Sequence, residues 1–275
     1  MQTGQPSHPI RYPMCPPPKI PIDWGRFRAV LFDLDGVITQ SASVHAAAWK
    51  ETFDDFLMRH SKTTGTTFEP FDIHRDYTRH VDGLPRRDGI RALLKSRGLS
   101  LAEGSADAPA TSDTIAGLAS RKNTAFRRIL ERDGISIYQD ALVLLRAVEA
   151  RGCRTGLITS SRNSAAVLAA TGLTRRFDVE VDGVVAARLQ LAGKPAPDTF
   201  LEAVRRLAVK PSQAALVEDS IAGIEAASAG GFALIIAVNR AGIAEELRAA
   251  GADLVVDDLA CLAEGAEETS PELGP

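Results

Sequence analysis

The chain has 275 residues and almost balanced charge, 32 Lys and Arg against 35 Asp and Glu, for a formal net charge of −3. That lacks the basic excess of a nucleic-acid binder, and no apolar run nears the ~20 residues that span a bilayer, so neither nucleic acid nor membrane is an expected partner. Three widely spaced cysteines, Cys15, Cys153 and Cys261, form no CxxC and no disulfide framework, which together with the lack of a hydrophobic signal segment points to a reducing cytoplasm.

Residues 1–27 read as a tail, because Pro6, Pro9, Pro13, Pro16, Pro17, Pro18 and Pro21 fix φ and remove amide donors. The core opens at 28–40. Residues 29–32 are a continuous apolar run ending at Asp33, the pattern of a strand buried on both faces. Residues 41–133 are mostly helical. His45, Trp49, Phe53 and Phe56 fall on one helical face, further helices are predicted over 86–97 and 114–132, and 100–112 reads as a loop. The core resumes over 134–265. Apolar runs at 155–158, 214–217, 232–238 and 253–256 alternate there with helical patterns at 141–150, 163–170, 197–208 and 221–229. Residues 266–275 form a C-terminal tail. Strands alternating with helices imply an α/β fold, a doubly wound parallel sheet with a Rossmann-like core. The block at 41–133 is then an inserted helical cap domain. Such sheets bind ligands beyond the C-terminal strand ends, where this sequence places its acids and hydroxyls.

Four of those strand ends and loops carry chemistry. Asp33-Leu-Asp35-Gly36 offers one carboxylate as nucleophile and a second, two residues on, as acid or base. Alone, the pair is also what a polar strand-to-loop turn contains. Thr159-Ser-Ser161 can bind phosphate oxygens through hydroxyls and amides, though Ser and Thr are ordinary helix caps. Lys194 lies in a proline-stiffened loop and supplies a point charge for crowded anions; a loop lysine is otherwise simply solvated. Glu218-Asp219-Ser220 can complete an oxygen site for a hard cation such as Mg2+, or favour a helix start.

Taken together and in this order, the four segments resemble the motifs of the haloacid dehalogenase superfamily. FDLDGVITQSASVHAAAWK at 32–50, RKN at 121–123, TSSRN at 159–163, GKPAPD at 193–198 and VEDSIAGIEA at 217–226 are similar to its β-phosphoglucomutase family. The resemblance implies a Mg2+-dependent phosphomutase acting on a small phosphorylated sugar, β-glucose 1-phosphate, as a cytoplasmic monomer; a sugar-phosphate phosphatase on the same scaffold is the alternative. It implies that Asp33 carries the phosphoryl group, that Asp35 is the general acid/base, and that Thr159 and Lys194 bind the group in transfer. Asp33, the main-chain carbonyl of Asp35, Glu218 and Asp219 would hold Mg2+. A mutase must also grip the second phosphate of a bisphosphate intermediate, and Arg86, Ser161, Arg162 and Asn163 match the family positions for that. His45, Trp49, Lys122 and Asn123 match the cap and linker positions around the sugar. Arg162 stands where the family has a lysine, which keeps the charge and changes its geometry.

Overall fold

β1 (Ala29–Asp33) is buried at all five residues, and its alternation sorts them between two layers. Val30 and Phe32 point into one apolar cluster and Ala29 and Leu31 into another, as the period of two in a strand requires. The protein is described by a computed structural model covering residues 20–105 and 107–263; residues 1–19 with six of the seven tail prolines and Cys15, and the segment 264–275, lie outside the described residues.

β1 is central in a six-stranded parallel sheet of order β3-β2-β1-β4-β5-β6. The others are β2 (Arg154–Ile158), β3 (Val179–Val181), β4 (Ala214–Glu218), β5 (Leu234–Val238) and β6 (Leu254–Val256). The chain winds outward from β1 through β2 to β3, then crosses back to β4 and on to β6. β1 is therefore the switch point, and the crevice at its carboxyl end is where such a sheet accepts a ligand. Helices α5 (Gln139–Ala150) and α6 (Ser164–Thr171) cover one face through Leu144, Val148, Val167 and Leu168. Helices α8 (Asp198–Arg206), α9 (Ile221–Gly230) and α10 (Ala244–Ala249) cover the other through Phe200, Ile224 and Leu247.

Between β1 and β2 the chain builds the helical cap: α1 (Ser41–Thr64), a wide π-helical turn at Ile73–Tyr77 running into the short α2 (Thr78–His80), α3 (Arg86–Ser96) and α4 (Ile115–Asp133). The cap has its own apolar cluster. Phe53 stacks between Trp49 and Phe71, with ring centroids 5.2 and 5.3 Å away, and Ile90, Leu93, Ile115 and Leu118 close around them. The bases of α1 and α4 join the main core through Val44, Ala48, Ala125 and Phe126.

Two features differ from the sequence reading. Residues 20–27, assigned to the tail, pack onto the core: Trp24 and Phe27 are buried, and Trp24 Nε1 donates to the Leu262 carbonyl at 2.8 Å. β3 and α7 (Gly183–Leu189) form inside a stretch that was assigned no element. No described helix is long and apolar enough to cross a membrane.

Candidate active site

A cavity of about 730 Å³ opens where the carboxyl ends of β1, β2 and β4 meet the cap. Asp33, Asp35, His45, Trp49, Arg86, Lys122, Asn123, Thr159, Ser161, Arg162, Asn163, Lys194 and Asp219 all line it. Glu218 is fully buried just behind the wall.

Asp33 ends β1, and its two oxygens are fixed from different sides. Oδ2 accepts the Asp35 amide at 2.7 Å, and Oδ1 accepts Lys194 Nζ at 2.5 Å. Lys194 bridges from Asp33 to Glu218 Oε1. The other Glu218 oxygen accepts the Asp219 and Ser220 amides at 2.8 and 2.9 Å and the Ser220 hydroxyl at 3.0 Å. Both oxygens of Glu218 are thus engaged by the protein, one of them holding Lys194 against Asp33. Burial by itself would lower Lys194, but the two facing carboxylates outweigh it and keep the ammonium charged.

Asp219 lies against the loop after β1. A Cβ on Gly36 would come 1.8 Å from Asp219 Oδ2, and Gly36 has φ of +92°, so only glycine lets this loop turn so close to the acid. Burial pushes the carboxyls of both Asp33 and Asp219 well above the usual range, and neighbouring acids push them further. Asp33, Glu218 and Asp219 therefore share a single ammonium in a buried site. A surplus of buried carboxylate is what a hard, oxygen-seeking cation relieves, so the donor chemistry fits Mg2+. Among the described residues no three His, Cys, Asp or Glu side chains form a ready-made cage, so water, main chain or substrate would complete the coordination, as is usual for this ion.

Asp35 has a different environment. Burial would raise it, but facing His45 and hydrogen bonds from Ser41 and Thr159 prevail and hold it ionised, below the usual carboxylate range. Ser41 Oγ donates to Oδ1 at 2.5 Å and Thr159 Oγ1 to Oδ2 at 2.8 Å. His45 Nε2 lies 3.4 Å from Oδ1 without hydrogen-bond alignment and has no partner. On the far side of the ring, His45 Nδ1 meets Lys122 Nζ at 2.7 Å. Lys122 is 1% exposed, with its ammonium over the rings of Trp49 and Phe126 at 5.1 and 4.8 Å. Burial, then the charge of Arg86, lowers it well below an ordinary lysine. Burial and Lys122 lower His45 as well. Donation from Lys122 to Nδ1 would leave the Nε2 proton facing Asp35.

Deeper under the cap, Arg86 at the start of α3 donates to the Ala119 carbonyl at 3.3 Å and to Asn123 Oδ1 at 3.0 Å. Asn163 Nδ2 donates to the same Asn123 oxygen at 3.0 Å, which ties the cap to the core. Burial and the nearby charges of Arg162 and Arg127 bring Arg86 down to about 10. Ser161 Oγ accepts the Asn163 amide at 3.2 Å and shapes the turn that presents Arg162.

Sequence reasoning missed Asp82, Tyr77 and Arg127, all on the cavity wall. Burial raises Asp82 to about 7, with Glu218 and Asp35 adding to the rise. A lone acid in a cap loop reads as solvated, and only the closed arrangement brings it to the catalytic acids.

A family model for haloacid dehalogenase-like hydrolases matches residues 27–231. The β-phosphoglucomutase of Mycobacterium bovis is 44% identical over 238 residues, covering 86% of this chain and 91% of that protein. That of Bacillus subtilis is 32% identical over 234 residues, covering 83% and 88%. Among solved structures, a variant of CbbY from Rhodobacter sphaeroides in complex with xylulose-(1,5)bisphosphate is 25% identical with a TM-score of 0.63, covering 85% of this chain and 95% of that one. With the parallel sheet, the inserted cap and the acids gathered at β1 and β4, these matches place the chain among the haloacid dehalogenase-like hydrolases, as an enzyme of their β-phosphoglucomutase-like family.

Proposed function

We propose that the protein is a Mg2+-dependent phosphomutase that interconverts β-glucose 1-phosphate and glucose 6-phosphate. The observation that carries this reading is one cavity with two anion-binding regions: the Asp33–Lys194–Thr159 group at the sheet, and Arg86 with Arg162 and Asn163 between cap and core. A phosphatase requires only the first. A mutase requires both, because its bisphosphate intermediate presents one phosphate to the nucleophile while the other is held elsewhere.

In this mechanism Asp33 enters the cycle as an aspartyl phosphate. Asp35, ionised between Ser41 and Thr159, takes the proton from the sugar 6-hydroxyl. The new sugar O–P bond forms as the Asp33 O–P bond breaks, which gives glucose 1,6-bisphosphate. The bisphosphate turns so that its 1-phosphate faces Asp33. That phosphoryl group returns to Asp33, and protonated Asp35 gives its proton to O1. Lys194 and Thr159 steady the oxygens in flight, while Arg86, Arg162 and Asn163 grip the phosphate at rest. Asp33, Asp219 and the main-chain carbonyl of Asp35 would hold Mg2+, with Glu218 acting through Lys194; the ion supplies charge neutralisation between carboxylate and phosphoryl group. His45 and Trp49, backed by Lys122 and Asn123, shape the sugar pocket. A cytoplasmic monomer belongs to the same reading; Cys153 and Cys261 are buried free thiols, at home in a reducing compartment.

Phosphorus NMR of β-glucose 1-phosphate with Mg2+ and catalytic glucose 1,6-bisphosphate tests this. Conversion to glucose 6-phosphate is expected. Accumulation of inorganic phosphate alone would replace the mutase with the sugar-phosphate phosphatase.

A further inference from the structure

Arg127 is a third arginine at the Arg86–Arg162 region, and the sequence match to the family assigns it nothing. It lies on α4, one helical turn after Asn123, so the two share a face, and it lines the same cavity. Its neighbour Arg128 points elsewhere and pairs with Glu51 of α1. The acceptors of Arg86 are an amide oxygen and a main-chain carbonyl, both neutral. No ion pair reaches Arg86, Arg127 or Arg162 among the described residues, although most other arginines of the cap have one.

Three like charges from α3, α4 and the loop after β2 thus converge without a counter-charge. Left so, they repel one another and work against cap closure. The charges acting most strongly on Asp33 are different ones, Lys194, Glu218 and Asp35, so the arginines form an electrostatic region of their own. An anion placed among them would remove the repulsion and bind cap to core at once. Guanidinium forks suit a phosphate dianion, which has three outward oxygens to share among them.

We propose that Arg127 is a specificity-determining residue of the distal phosphate subsite, the third guanidinium that makes this enzyme select a sugar bearing a dianionic group over one with a hydroxyl there. This rests on the mutase reading, in which a second phosphate is held at that place. Arg127 is exposed, so its replacement leaves the fold in place.

The test compares wild type, Arg127→Ala, Arg127→Lys and, as a control, Arg128→Ala. For Arg127→Ala, KM for β-glucose 1-phosphate should rise about tenfold, the loss of one charge-assisted contact partly open to solvent, while kcat changes less than twofold. The rise should shrink with added salt, and Arg127→Lys should recover part of it. Labelling of Asp33 by acetyl phosphate, which has no distal phosphate, should fall less than twofold. The ligand-free Tm should rise, since a repulsion has been removed. Arg128→Ala should leave KM within twofold of wild type. An unchanged KM in Arg127→Ala overturns the proposal, as does an equal loss in acetyl phosphate labelling. The two readings fail separately: titrating glucose 1,6-bisphosphate into Asp33→Asn protein, with and without Arg127→Ala, measures the subsite even if wild type proves to hydrolyse rather than isomerise its substrate. Equal affinities there overturn the role of Arg127 alone.

Discussion

Asp33 and Asp35 are two residues apart and live in opposite fields. Asp33 is pushed up by burial beside Glu218 and Asp35, whereas Asp35 is held down by facing His45 and two hydroxyl donors. Pairs of acids driven apart in this way divide nucleophile from proton carrier. The lysines divide similarly: Lys194 is buried but paired with two carboxylates, while Lys122 is buried among rings and bonded to a neutral imidazole nitrogen. The first is suited to steady negative charge, the second to set the tautomer of His45. The division predicts the behaviour of Asp35→Asn. Acetate is a good leaving group and needs no proton, so acetyl phosphate should still label Asp33. Transfer from phosphorylated Asp33 to a sugar hydroxyl does need a base, and should slow by about 10²–10⁴-fold. Rapid-quench measurement of both steps checks this; equal slowing of the two would remove Asp35 from proton transfer.

The turn that carries the cap toward the site depends on Asp76. Its carboxylate, 2% exposed, accepts Arg75 Nε at 2.9 Å, Arg97 Nη2 at 2.6 Å and the Asp72 amide at 3.0 Å, joining the π-helical turn to the end of α3. Burial would raise its pKa, but the Arg75, Asp72 and Arg97 bonds prevail and lower it from 3.8 to about 2. A depressed carboxylate contributes stability above its unfolded pKa and loses it as pH falls through the folded value. Wild type should therefore lose roughly 2 kcal/mol from this group between about pH 4 and pH 2. Asp76→Asn should be less stable by roughly 2–3 kcal/mol at pH 7, with Arg97 left half-satisfied, and flatter over that acid range. Urea midpoints from pH 2 to 7 measure both, and parallel acid limbs would refute the clamp. Elements of this kind were the ones least visible beforehand. β1, β4 and β5 could be read directly, because strands buried on both faces are largely unbroken apolar runs. β3 is three residues around Glu180, and α7 exposes Val184 and Leu189, so neither has a period to detect. The four candidate segments at Asp33, Thr159, Lys194 and Glu218 were legible because each closes a readable strand or sits in a proline-fixed loop. Asp82 and Arg127 come to the site only through the packing of the cap, and nothing local separates Arg127 from Arg128.

Across the whole molecule, the proposed mechanism makes the choice between passing phosphate to a sugar and losing it to water depend on how tightly cap and core meet. Ser160 Oγ donates to the Gly83 carbonyl at 2.7 Å, and Gly193 lies so near Pro85 that a Cβ would come within 2.1 Å of its ring. Gly83 itself has φ of +72°, and a Cβ there would lie 2.3 Å from Ser220 Oγ. Ser220 cannot easily step aside, since its hydroxyl donates to Glu218 and accepts the Gly223 amide at the head of α9. In Gly83→Ala the left-handed backbone costs about 1–2 kcal/mol, and the methyl group pushes against a pinned hydroxyl. The expected relief of that strain is an opening of the cap at the Gly83–Ser160 seam. An open cap admits water to phosphorylated Asp33 and loosens Asn163 from Asn123 across the seam. Gly83→Ala should hydrolyse its phosphoenzyme about tenfold faster and transfer to the sugar more slowly, moving the enzyme toward phosphatase behaviour, with the protein still folded. Single-turnover decay of labelled Asp33, with and without β-glucose 1-phosphate, gives both rates. If hydrolysis is unchanged while transfer falls, the seam positions the sugar but does not exclude water, and the barrier to solvent must lie at α7 and the outer mouth of the cavity.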